Sequence, residues 1–135
     1  MKVRNPVSAE DALLFDSYIV KWQTKLNLND WRIERGASPA KNAMASVEFN
    51  DPARLATYRL GDFGAEAITP KSLETTAVHE LLHVVLHDFL NAALNRFEPD
   101  QIEAAEHRVV NLFEKILLQD NYAFCPKCIE KGAND

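Results

Sequence analysis

His79-Glu80-Leu81-Leu82-His83 sets two imidazoles four residues apart, with a carboxylate between them, inside a strongly apolar stretch. On a helix that spacing puts both histidines on one face, about 6 Å apart along the axis, so both reach a single metal ion. Glu80 falls on the neighbouring flank, where its carboxylate can take a proton from a water held by the ion. The predicted chemistry is hydrolysis at one catalytic zinc (Zn2+), which polarises a carbonyl and brings its water toward a pKa of about 7, with Glu80 as general base. A protein or peptide substrate follows from those parts.

A catalytic zinc site takes three protein ligands, so a third must be found downstream. His87 extends the series 79, 83, 87, but on a continuous helix it rises about 12 Å from His79, beyond the span of one ion. Val84-Val85-Leu86 holds no glycine to break the helix, which leaves His87 a structural or supporting role. Glu103 and Glu106 lie on the next predicted helix. At 100° per residue Glu106 falls near the centre of a stripe formed by Ile102, Ala105, Val109 and Phe113, with Glu103 toward its edge. A carboxylate on a buried face needs a partner, and zinc is one. Glu106 is therefore the preferred third ligand and Glu103 the alternative, also suited to accept a hydrogen bond from a ligand imidazole. Tyr58, Arg59, His87, His107 and Tyr122 are candidates to stabilise an oxyanion, and the sequence does not rank them.

These residues need a scaffold, and the sequence predicts one. Ser8, with Asp11 three residues on, caps a helix over 9–26 that repeats apolar residues at helical spacing. Trp31 to Arg35 alternates as a half-buried strand; Ala43 to Phe49 and Arg54 to Leu60 flank Asn50-Asp51-Pro52 as an antiparallel hairpin. Ala65 to Ile68 is a further short strand candidate. Thr69-Pro70 opens the motif helix, which is apolar on most sides from Leu73 to about Leu94 and so belongs to the interior. Pro99 opens a third helix with Ile102, Ala105, Val109, Leu112, Phe113, Ile116 and Leu117 as its buried face. The order predicts an α+β fold in which a small, mainly antiparallel sheet of about three strands packs against helices on one side.

HELLH followed some twenty residues later by a helix bearing Glu103-Ala104-Ala105-Glu106-His107-Arg108-Val109-Val110 resembles the gluzincin branch of the HExxH metallopeptidases. It is most similar to the compact single-domain metallopeptidases of bacteria and their phages, over about residues 70–118. The resemblance implies a zincin-like fold, His79, His83 and Glu106 as zinc ligands, and Glu80 as general base. The chain departs from thermolysin-like enzymes in lacking their Asn-Glu-x-x-Ser-Asp third-ligand motif.

Composition bounds the alternatives. A chain of 135 residues with 47% hydrophobic residues suits one domain, assigned to 1–122, followed by a tail over 123–135. A net charge of -5 and 15 scattered Lys and Arg argue against nucleic acid as a partner. A bacterial RNA-processing zinc family also carries His-x-x-x-His on a helix, but with Gly after the first His and a third His ten residues on, where this chain has Glu80 and Phe89. No run approaches the roughly 20 apolar residues that cross a bilayer, and Met1 to Pro6 leads into polar residues, so the expectation is no membrane and a cytoplasmic location. Cys125 and Cys128, as Cys-Pro-Lys-Cys, form half of a zinc knuckle: a second metal site shared across a dimer, a redox dithiol, or an inert tail. The competing overall reading is a non-catalytic, zinc-stabilised protein-interaction module.

Overall fold

The computed structural model describes residues 3–94 and 96–119; Tyr122 and the tail with Cys125 and Cys128 lie outside the described residues. The first helix, α1 (Ala9–Lys25), starts where Ser8 Oγ accepts from the Asp11 amide at 3.1 Å, with Glu10 and Asp11 complementing the helix dipole. Its Ala12, Phe15, Ile19 and Trp22 recur at three- and four-residue steps and are buried. It ends before Asn27, whose φ of 56° lies in the left-handed region that Asn tolerates.

Three strands follow: β1 (Arg32–Arg35), β2 (Ala45–Asn50) and β3 (Leu55–Leu60). β2 and β3 form the expected antiparallel hairpin, with Val47 opposite Tyr58. β1 pairs with β3 in parallel, so the order is β1-β3-β2 and the sheet is mixed, not mainly antiparallel. Burial accounts for the difference. β3 carries the buried Ala56 and Tyr58, whereas β1 and β2 bring charges and leave more of themselves in water, so β3 takes the centre. The strand expected at 65–68 does not form. Asp62 instead bridges to Pro6, its carboxylate accepts from the amides of Asn5 and Gly64, and the chain turns at Gly64 with φ 56°.

α2 (Pro70–Ala93) opens with a capping box: Thr69 Oγ1 accepts from the Ser72 amide at 3.0 Å and Ser72 Oγ from the Thr69 amide at 2.9 Å. Pro70, lacking an N–H, occupies the first turn without loss. Leu73, Ala77, Val78, Leu81, Leu82 and Val84 are buried against α1, the sheet and α3, as its all-round apolar character requires. Each large aliphatic side chain so buried contributes roughly 1.5–3 kcal/mol, which holds the motif helix rigid at the centre of an α+β fold.

α3 (Pro99–Gln119) is rolled relative to the predicted stripe. Val110 is fully buried and Glu106, Val109, Glu114, Leu117 and Leu118 are half-buried, while Ala105, Leu112, Phe113 and Ile116 are exposed. The i, i+4, i+8 row Glu106-Val110-Glu114 faces α2, because its two carboxylates find hydrogen-bond donors there that water would otherwise supply. Among the described residues no helix is long and apolar enough to cross a membrane.

Candidate metal centre

The row His79-His83 on α2 and the row Glu106-Val110-Glu114 on α3 run in opposite directions, so the later residue of one meets the earlier of the other. His79 Nδ1 lies 2.9 Å from Glu114 Oε2, and His83 Nδ1 lies 2.7 Å from Glu106 Oε2. The two imidazole centroids are 5.1 Å apart. His107 completes the cluster, its ring 6.1 Å from His79 and 5.3 Å from His83. One ring nitrogen from each of His79, His83 and His107 lies within 4.8 Å of the others.

Electrostatics differ between the two motif histidines. The bond to Glu114 raises the His79 pKa against the effect of burial, whereas burial lowers that of His83 despite Glu106. Glu80, only 7% exposed, has its carboxyl pushed up to about 7 by burial, with His79 opposing and Glu106 adding to the shift. A base poised near neutrality is matched to accepting a proton at neutral pH.

His79, Glu80 and Glu114 line a cleft of about 320 Å³ whose other walls are Met44, Ala45, Thr75 and Thr76. Met44 precedes and Ala45 begins β2, one of the two outer strands of the sheet, so the cleft reaches the first residue of a strand whose outer side pairs with no other strand among the described residues. A second cleft of about 240 Å³ begins beyond Glu106 and is walled by Phe49, Leu90, Leu94 and Ile102. It lies at the far end of the same strand.

The structure thus brings His79, Glu80, His83 and Glu106 into one place and adds two residues given no ligand-supporting role above, His107 and Glu114. The signal for Glu114 was the row 106, 110, 114, which matches the row 79, 83 in spacing; the broad apolar stripe of α3 concealed it. Glu103 stays at the rim, its side chain 71% exposed and 3.8 Å from His107 Nε2. Tyr58 and Arg59 are engaged elsewhere on the central strand. The Tyr58 hydroxyl donates to Asp16 Oδ1 at 2.7 Å, and Arg59 donates to Glu48 and Ser38.

Comparison with models of protein families, with curated proteins and with solved structures gives no match to this chain. The donor set itself is the test of a metal. Imidazole nitrogens from two helices converge, and the two on α2 have their Nδ1 edges tied to carboxylates, which is how proteins orient histidine toward zinc. The residues fit that ion.

His87 stands apart, as the rise along α2 requires. Its Nε2 lies 2.7 Å from Asp51 Oδ1, and its ring stacks on Phe49 at 3.8 Å and meets Trp31 edge-on. Asp51, His87 and Asp88 form a second group with ligand-type atoms within 4.8 Å of one another. Arg54 already supplies a cation there, donating from Nη1 to both oxygens of Asp88 and from Nη2 to Asp30.

Proposed function

We propose that this protein is a zinc-dependent metallopeptidase of zincin-like fold, in which His79 and His83 hold the ion with a third ligand from α3. One observation carries the reading: Glu80 and His79 share a cleft that reaches Ala45, the first residue of the edge strand β2. A purely structural zinc site needs neither a buried acid beside it nor a path for substrate. An unpaired strand edge offers main-chain donors and acceptors to an extended peptide, and would lay it across the face that carries the histidines.

Bound zinc would supply a Lewis acid for the peptide carbonyl and a water acidic enough to lose its proton near neutral pH. The chain supplies the rest. Glu80 would take that proton on its carboxylate and return it to the departing amine. Leu81 and Leu82 hold the helix turn between the histidines against the core, so the imidazoles and the carboxylate keep their relative positions. Of the described oxyanion candidates, Tyr58, Arg59 and His87 are engaged outside this cluster.

Purified protein should carry about one zinc per chain and cleave an unfolded protein substrate, and Glu80→Gln should lower cleavage by roughly 10²–10⁴-fold with zinc content unchanged. Full activity in Glu80→Gln would refute the mechanism. One feature favours the alternative of a non-catalytic, zinc-stabilised interaction module: the histidine cluster bridges α2 and α3, so an ion there would also staple the two helices. That reading is distinguished by a melting temperature that falls on chelation in a protein that cuts no peptide.

A further inference from the structure

We infer that the third zinc ligand is His107, and that Glu106 and Glu114 are positioning residues that fix the other two imidazoles. The inference rests on the zinc reading above and departs from the ligand set that the gluzincin resemblance implies. It begins with a length. Two atoms bound to one tetrahedral zinc by bonds of about 2.1 Å stand about 3.4 Å apart. Glu106 Oε2 and His83 Nδ1 are 2.7 Å apart, the length of a charge-assisted hydrogen bond and too short for two atoms on a shared ion.

A carboxylate only accepts, so the proton between Glu106 and His83 sits on Nδ1 and the lone pair on Nε2. The same holds for His79 and Glu114 at 2.9 Å. Both carboxylates therefore select the tautomer that presents Nε2 to a metal. The remaining nitrogen donor within reach is on His107, in the group of three ring nitrogens that lie within 4.8 Å of one another. Glu103, one helical turn away, stands 3.8 Å from His107 Nε2, beyond hydrogen-bond length, so the His107 ring is not tied by a carboxylate as the other two are. His107 is also the most exposed of the three, 47% against 26% and 15%, which leaves the solvent side of the centre open to a substrate. All the supporting carboxylates come from α3.

The test uses the full chain, with zinc affinity measured by competition against a chromogenic chelator and the visible spectrum recorded for the cobalt-substituted protein. His107→Ala should weaken zinc by about a hundredfold or more and alter the cobalt bands, because a ligand is lost. Glu106→Ala and Glu114→Ala should each weaken zinc by roughly 10–100-fold. Glu106→Gln and Glu114→Gln, whose amide oxygen still accepts from Nδ1–H, should recover most of that loss and keep the cobalt spectrum. Melting temperatures of the metal-free variants check that each folds, and the Gln pair carries the test where an Ala variant does not. Zinc affinity in His107→Ala within twofold of the parent overturns the assignment, and so does a Glu106→Gln variant that loses zinc and changes the cobalt spectrum. In either case the hydrolase reading survives, whereas a parent protein that binds no zinc removes both.

Discussion

Two groups of histidine and carboxylate sit on the same face of α2, one turn apart: His79 and His83 with Glu106, Glu114 and His107, and then His87 with Asp51 and Asp88. Residue types and separations are similar, and each group gathers ligand-type atoms within 4.8 Å. What stands opposite distinguishes them. In the first group the carboxylates face imidazoles, which have a second nitrogen to offer outward. In the second, Asp88 faces the Arg54 guanidinium, and the His87 ring is pressed between Asp51 and the aromatic faces of Phe49 and Trp31. One group has donors left over and a cleft beside them; the other is closed by its own cation. Histidine spacing alone does not make a metal centre, and the counter-charge already present decides whether one is wanted.

The largest effect that tests this contrast is on metal content. His83→Ala should reduce bound zinc from about one per chain to a small fraction and abolish cleavage, while His87→Ala should retain the zinc. Elemental analysis of the two purified variants decides it. Zinc lost from His87→Ala and kept by His83→Ala would exchange the roles of the two groups.

The next effect belongs to the second group and is one of stability. Trp31 is 4% exposed, packs edge-on against Phe49 and His87, and carries the Arg54 guanidinium 3.9 Å from its ring centroid. Trp31→Ala removes a large buried ring and the face on which Arg54 rests, and should cost about 3–5 kcal/mol. Denaturant unfolding measures that loss. Zinc bound per folded chain should stay unchanged if the two groups are independent, and a parallel drop would show that they act as one unit.

How far the sequence carried this contrast can be judged from particular residues. The three helices are legible because caps and apolar periodicity are local: Ser8 with Asp11, and Thr69 with Pro70, sit where the first two helices begin. The hairpin was legible for the same reason. The parallel pairing of β1 was not, since which strand takes the centre depends on comparing burial across the whole sheet. Within the site, His79, Glu80 and His83 follow from the spacing of one helix. Glu106 stands out in the sequence because it falls near the centre of the predicted stripe of a helix that folds back on α2, but its hydrogen bond to His83 depends on the roll of α3, which the exposed Leu112, Phe113 and Ile116 disguise. Glu114 and the nearness of His107 require the register between two helices, and no spacing within one helix contains that.

The smallest expected effect concerns the ions that close the second group. Hydrogen bonds from Arg54 hold the Asp88 carboxyl below its ordinary value of 3.8, with burial opposing and the Arg54 and His87 charges adding to the shift. A depressed carboxylate stabilises the fold at pH values above its unfolded pKa, and that contribution disappears as pH falls through the lower, folded value. Asp88→Asn should therefore melt below the parent at pH 6, by a few degrees at most because the pair is exposed, and the gap should narrow as pH drops below about 4. Added salt should narrow it too, since screening acts on charges in contact with water. The first group supplies the control. Glu114 faces an imidazole, not a guanidinium, and raises the His79 pKa, so in the metal-free protein the gap of Glu114→Gln should fade as pH rises and His79 loses its proton, which the gap of Asp88→Asn should not do. Thermal melts of the two variants from acid to mildly alkaline pH separate the carboxylate held by a guanidinium from the one that faces an imidazole.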